Sequence, residues 1–387
     1  MRKLLYLVFF SLAFFCLNTE ASSLHYLAVL NAGSTGSRLY LYAYDPSSPI
    51  NPQIPQFIAD KKVAPGIASL ANSIDPNNPT VLTAATKQYL APLLSFIQTQ
   101  EPSVKAKDIT FYLLATAGMR VLSQDQQTVI YQNVGTIIDA TGYTIGSIQT
   151  IPGKMEGTFD WIALNQLLGK LGYPAEQTAG VLDMGGASTE LTFASSSAVS
   201  NDDNVSFILG NQSYTLYSHS YLGLGQDEAR SQYLNDPNCF PVDYQLPNGN
   251  KGNGHFAQCQ LDTNQLLQQV HKVQRVIPAN TNMPFYAIAG FAYTANSKYV
   301  FNLGADLSTA ALTQVAEVQC AKNWKDLTQQ DPADPFLYSD CFNAALETDL
   351  LRDYGFNSSQ ALIATNDVDD SSIDWTLGAA IYYLNQH

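Results

Sequence analysis

Two short stretches, far apart in the chain, are built from the residues that hold phosphate. Leu27–Arg38 runs as a buried strand into Asn31-Ala32-Gly33-Ser34-Thr35-Gly36-Ser37-Arg38, and Gly180–Glu190 does the same through Asp183-Met184-Gly185-Gly186-Ala187-Ser188-Thr189-Glu190. Glycine lets a backbone approach a ligand closely, Ser and Thr hydroxyls add donors, and successive N–H groups in such a turn form a nest for an anion. One such turn is usually a plain hairpin. Two of them, each with Asn or Asp at its mouth, suit a polyphosphate gripped from both sides. Between them lies Glu156, the sole carboxylate of Gly153-Lys154-Met155-Glu156-Gly157. Its glycine neighbours leave room for substrate, so it can serve as a base toward water. A first-turn glutamate favoured by the helix dipole is the competing reading on spacing alone.

The elements that must position these residues follow from apolar patterning. Residues 24–30 and 39–44 read as a hairpin, and 45–55 as a proline-rich loop. Helical spacing marks 81–98, 124–141, 156–168, 265–276, 307–320, 342–354 and 374–384, and short strands are expected at 109–115, 143–150 and 285–289. A polar stretch at 195–204 and an acidic one at 366–370 read as surface loops. Strand–turn–strand followed by alternating helices and strands, twice over, predicts two related α/β domains with the site between them.

The remaining composition bounds the class. The sequence has 387 residues, too many for one compact core. Arg2-Lys3 precede the apolar run Leu4–Leu17, and Thr19-Glu20-Ala21 resembles a cleavage site, so 1–21 is expected to be a signal peptide. No later run matches the roughly 20 apolar residues of a membrane helix. The expectation is an exported protein, secreted to a periplasm or outside the cell, a monomer without a stable membrane anchor. Removing Cys16 leaves Cys239, Cys259, Cys320 and Cys341. In an exported chain an even count argues for two disulfides; three pairings exist, and the sequence-local pairs Cys239–Cys259 and Cys320–Cys341 are favoured. A net charge of −14 argues against nucleic acid as a partner but permits a phosphate ligand carried with a cation.

Taken together, Asn31–Arg38, Ala115-Thr116-Ala117-Gly118-Met119-Arg120, Gly153–Trp161, Asp183–Glu190 and Trp375-Thr376-Leu377-Gly378 resemble, in order and wording, the conserved regions of the ecto-nucleoside triphosphate diphosphohydrolase (apyrase) family. The resemblance covers essentially the whole mature chain. It implies two RNase H-like domains of the actin/hexokinase superfamily, one formed by 24–152 completed by 367–387, the other by 153–366, with the site in the cleft. It implies hydrolysis of nucleoside tri- and diphosphates to the monophosphate with Mg2+ or Ca2+. Glu156 then matches the general base, Thr116 and Ser188 orient the attacking water, and Arg120 neutralises charge near the phosphates. Gly33, Ser34, Thr35, Gly36, Arg38, Gly185, Gly186, Ala187 and Ser188 bind phosphate. Asn31, Asp183, Glu190 and Trp375 face the metal, mostly through water, and Tyr293 and Tyr338 stack on the base.

Two positions depart from the family pattern: Asn31 stands where Asp is usual, and Glu190 where Gln is usual. The two changes conserve formal charge and are expected to share it at the mouths of the two nests. Glu190 also leans toward exopolyphosphatases and guanosine pentaphosphate phosphatases, which share the superfamily fold. A secreted nucleotide-binding module without turnover is the third reading, and intact Glu156 stands against it.

Overall fold

The computed structural model describes residues 24–195, 202–278, 282–297, 300–304 and 306–386. The expected signal peptide and most of the polar 195–204 stretch lie outside the described residues.

The first sheet is made by β1 (His25–Ala32), β2 (Ser37–Tyr44), β3 (Gln56–Val63), β4 (Ile109–Ala115) and β5 (Thr144–Thr150), in the order β3-β2-β1-β4-β5. The three leading strands meander antiparallel, and β4 and β5 run parallel to β1. The second sheet contains β6 (Gly180–Met184), β7 (Ser188–Ala194), β8 (Asn204–Leu209), β9 (Gln212–Leu222), β10 (Phe285–Ala289) and β11 (Ile363–Ala364), ordered β11-β10-β6-β7-β9-β8. If β8 is set aside as an added edge, the two orders and strand directions coincide. The repeat seen in the turns therefore extends to whole sheets. In register, Asn31 lies opposite Arg38 in the first sheet, and Asp183 opposite Glu190 in the second.

Alternation along β2 explains the layering. Leu39 and Leu41 face a core shared with the helices Thr80–Gln100 and Gln124–Asp139, whereas Tyr40 and Tyr42 face the middle of the molecule. Helix Thr80–Gln100 turns Leu82, Thr86, Leu90, Leu93 and Ile97 inward at three- and four-residue spacing. Helix Gln124–Asp139 starts at a capping box in which Ser123 and Gln126 satisfy each other's backbone N–H. The second sheet packs its outer face on helices Phe256–Gln265, Thr309–Cys320 and Asp340–Tyr354. Between the sheets lie helices Gly153–Leu167 and Trp375–Leu384. They cross so closely that a Cβ on Gly378 would overlap the Phe159 carbonyl oxygen. The Phe159 and Trp375 rings stack there, 6.3 Å apart.

The expected helix at 265–276 is corrected. An α-helix ends at Gln265, a π-helical turn follows over Leu266–His271, and Lys272 adopts a left-handed conformation (φ 52°) that stops it. Strands β3, β8 and β9 were absent from the sequence expectation. Both cysteine pairs form as expected, with Cα separations of 5.0 Å for Cys239–Cys259 and 5.6 Å for Cys320–Cys341. All four thiol positions are buried in the core of the second half. Closing loops of 20 and 21 residues, each should stabilise by about 3 kcal/mol in the chain-entropy model. Cys239→Ser and Cys320→Ser should each lower Tm in calorimetry, and reductant should lower the wild-type Tm by at least as much as either substitution.

Candidate active site

The two Gly/Ser/Thr turns meet across a cleft of about 310 Å³ lined from both sheets. Their proximity is direct: a Cβ on Gly186 would stand 2.9 Å from Ser34 Oγ and 3.4 Å from Thr35 Cγ2. Asn31, Gly33, Ser34, Thr35, Gly36 and Arg38 line the cleft from one side, and Asp183, Gly185, Gly186, Ala187 and Ser188 from the other. Arg38 also pairs with Asp60 at 3.3 Å. Thr116, Glu156, Tyr293 and Trp375 complete the lining among the residues expected from sequence.

Glu156 lies in the first turn of its helix and is buried at the cleft. Burial pushes its carboxyl above the ordinary value, and the Arg120 guanidinium pulls it back down. Arg120 donates to Glu156 Oε2 at 2.6 Å and to the Ile151 carbonyl at 3.2 Å. The expectation that Arg120 faces the phosphates is corrected: it stands behind Glu156, outside the cleft lining, and offsets part of the rise that burial imposes on that carboxyl. Thr116, at the end of β4, donates its backbone N–H to Ala32 and accepts from Met119, which ties it to the first turn.

Glu190 is also placed differently from the expectation. It is 2% exposed and does not line the cleft. Its Oε1 accepts from Ser188 Oγ at 2.7 Å and from Ser220 Oγ at 2.6 Å, with Arg120 at 4.0 Å. The reason is packing: β7 is buried along its whole length, so its inner carboxylate faces β9 rather than solvent. Ser188 thus donates its hydroxyl hydrogen to Glu190, which leaves the serine oxygen free to accept. Asn31 and Glu190 thus do not occupy matching places at the two turn mouths.

Asp183 lines the cleft, and its Oδ1 is buried without a hydrogen-bond partner. Burial, then the negative charges of Glu156 and Asp374, push it up to about 7. Trp375 is 4% exposed; it lines the cleft and packs in the core between the sheets. Tyr293 stands 64% exposed on the rim. Its helix, Gly290–Ala295, follows Ala289, held at φ 52° while its N–H donates to Asn366 Oδ1 at 2.6 Å. Tyr338 is not in the lining. It stacks on Tyr244 at 5.6 Å, under the Arg230 guanidinium at 5.4 Å, and its expected pairing with Tyr293 around one base is not what the fold arranges.

Sequence reasoning missed Asp160, Asp374, Tyr40, Lys62 and Asn366, all of which line the cleft. Asp160 is four residues after Glu156, a spacing that puts both on one helix face. Asp374 caps the last helix, accepting from Thr376 N–H at 2.9 Å and Thr376 Oγ1 at 2.6 Å, and it also accepts from the Tyr40 hydroxyl. Its Asp-x-Thr pattern before a helix was a readable cap signal. Among the described residues no group of three or more His, Cys, Asp or Glu side chains converges for direct metal coordination.

A profile of the GDA1/CD39 (nucleoside phosphatase) family matches residues 17–387. Similar proteins include Probable apyrase 5 of Arabidopsis thaliana, 27% identical over 93% of this chain and 82% of its own length. Nucleoside-triphosphatase ntp-1 of Caenorhabditis elegans is 26% identical over 94% of this chain and 74% of its own. Among solved structures, a nucleoside triphosphate hydrolase from Neospora caninum superposes with a TM-score of 0.66 at 15% identity, covering 93% of this chain and 92% of its own. A PPX-GPPA enzyme from Aquifex aeolicus gives 0.52 at 12% identity, covering 93% and 100%. At those identities the structural likenesses speak to the fold alone.

Proposed function

Since this chain belongs to the GDA1/CD39 (nucleoside phosphatase) family, we propose that it is an apyrase-type hydrolase that removes terminal phosphates from nucleoside tri- and diphosphates by attack of a water activated by Glu156. The observation that carries this is a buried carboxylate, ion-paired with Arg120, at a cleft walled by two opposed phosphate-type turns.

The chemistry follows from where the donors lie. In the second turn the Gly185 N–H is spent on the Ser188 carbonyl at 3.0 Å, so the amides of Gly186 and Ala187 are the ones offered to a phosphate. Ser34, Thr35 and Gly36 face them from the first turn, and Arg38 and Lys62 bring positive charge to the same wall. Ser188, already donating to Glu190, accepts a proton of the attacking water with its free lone pair, and the Thr116 hydroxyl takes up the same water from the other sheet. Glu156 removes the proton as the new P–O bond forms and the bond to the leaving phosphate oxygen breaks. General-base assistance of this kind contributes about 10²–10⁴-fold.

A divalent cation, Mg2+ or Ca2+, carried with its waters fits the residues present, because Asp183 carries an unpartnered buried oxygen into the cleft and, among the described residues, no three acidic or imidazole groups converge to strip those waters. Mg2+ usually keeps several waters and touches few protein oxygens. Asp183 and Asn31 would hold such a hydrated ion, with Trp375 alongside, and it would supply charge neutralisation to the phosphates. We read residues 24–152 with 367–387, and residues 153–366, as the two domains that close on the nucleotide. Tyr293, on the rim, is the aromatic surface available to a base. We also read residues 1–21 as a leader for export; no described helix is long and apolar enough to cross a membrane.

The test is phosphate release from ATP, ADP and long-chain polyphosphate, with and without Mg2+ or Ca2+. Metal-dependent release from both nucleotides, ending at the monophosphate, is expected. Release from polyphosphate alone would assign the chain to exopolyphosphate hydrolysis, and binding without release would make it a nucleotide-binding module. Ser188→Ala should lower kcat far more than it raises KM, because the serine meets the water rather than the nucleotide. Steady-state kinetics on ATP checks this, and an effect confined to KM would remove Ser188 from the water site.

A further inference from the structure

Asp160 is anomalous among the described residues. It is 1% exposed, it lines the cleft, and neither carboxylate oxygen has a hydrogen-bond partner. Buried polar groups in folded proteins are nearly always satisfied, and a buried charge without compensation is strongly disfavoured. Among the described residues no side chain hydrogen-bonds to it. The groups acting on Asp160 are Asp183, Glu156, Glu190 and Asp374, all carboxylates. The buried cation of this region, Arg120, is engaged by Glu156. Asp374 in turn is satisfied by Thr376 and Tyr40 and offers Asp160 nothing.

The pseudo-repeat shows where a charge is missing. Asp183 at the end of β6 corresponds to Asn31 at the end of β1, since each is paired with the residue that leaves its turn. One turn therefore brings a carboxylate to the cleft and the other only an amide. Asp160, one helical turn beyond Glu156, reaches the same cleft from the helix between the sheets.

We propose that Asp160 acts with Asp183 in holding the hydrated divalent cation, supplying the negative charge that Asn31 does not. This rests on the reading above that a cation accompanies the phosphates. The contact is through water, because no three acidic or imidazole groups converge for direct coordination among the described residues. Each added anionic group raises the affinity of such a site, as ligand charge count does in cation sites generally.

The experiment uses the whole protein and Mn2+ as probe. Bound Mn2+ is titrated by electron paramagnetic resonance in the presence of a non-hydrolysable ATP analogue, for wild type, Asp160→Asn and Asp160→Ser. The asparagine keeps shape and hydrogen bonding but removes the charge; the serine is the second variant should the first fail to fold, and near-ultraviolet circular dichroism verifies both. Mn2+ affinity should fall about tenfold or more in either folded variant. The Mg2+ concentration giving half-maximal phosphate release should rise in parallel, with kcat largely recovered at saturating Mg2+. Unchanged Mn2+ affinity in a folded variant would overturn the proposal and make Asp160 an uncharged buried acid, even if nucleotide hydrolysis stands. The Mn2+ titration needs no turnover. Intact Mn2+ binding without phosphate release from any nucleotide would count against the hydrolase reading alone.

Discussion

Replacing Glu156 by glutamine should reduce kcat on ATP by about 10²–10⁴-fold. Nucleotide affinity, measured calorimetrically with a non-hydrolysable analogue, should change little, because the partner of this side chain is the water. The structure adds a second expected effect. Arg120 loses its 2.6 Å ionic partner and is left with Glu190 at 4.0 Å. Breaking a buried ion pair by removing one partner typically destabilises by about 3–5 kcal/mol, so Tm should fall as well. A folded variant retaining a third of the wild-type rate would return Glu156 to the role of a helix-start residue.

The second large effect is expected at Arg120. Arg120→Met fills the same space without charge and leaves Glu156 buried with no cation. Burial already raises the Glu156 carboxyl and Arg120 is what lowers it, so the substitution raises it further. The base works only when deprotonated. Activity is therefore lost as pH falls through its folded value, and in the variant that loss begins at a higher pH. The acid limb of the kcat/KM profile should move toward alkaline pH, with part of the activity regained on raising pH. Arg120→Lys should restore the limb partly, since an ammonium returns the charge but not the bond to Ile151. An unshifted limb with a raised KM would instead place Arg120 on the phosphates.

That the two Gly/Ser/Thr turns and Glu156 would line one cleft was legible in the sequence because their chemistry is local. Glycines, hydroxyls and a carboxylate lie within a few residues of one another, and the turn itself brings them together. Asp160 could have been found the same way, from its four-residue spacing to Glu156. Glu190 could not. Its neighbours Ser188 and Ser220 meet it because β7 is covered on both faces and β9 pairs beside it, and β9 gave no expectation of its own. Strand β3 escaped for the opposite reason: its Asp60-Lys61-Lys62 run is that of a half-exposed edge strand, where charge is useful and apolar alternation is weak. Tyr338 illustrates the limit of residue type as a guide. In a chain with 22 tyrosines, an aromatic ring is a base platform only if the fold brings it to the cleft, and here Tyr244 and Arg230 hold it elsewhere.

The helix crossing at Gly378 also joins the residues proposed to act at the cleft. Glu156 lies just before Phe159 on one helix, and Trp375 just before Gly378 on the other, so both side chains ride on the rivet of a pair of shears. The blades are the two sheets, with Ser34 at one tip and Gly186 at the other. Rotation about the rivet would widen or close the gap between the turns, admitting a nucleotide or releasing its product. The base and the indole, sitting near the pivot, would keep their mutual position throughout the stroke.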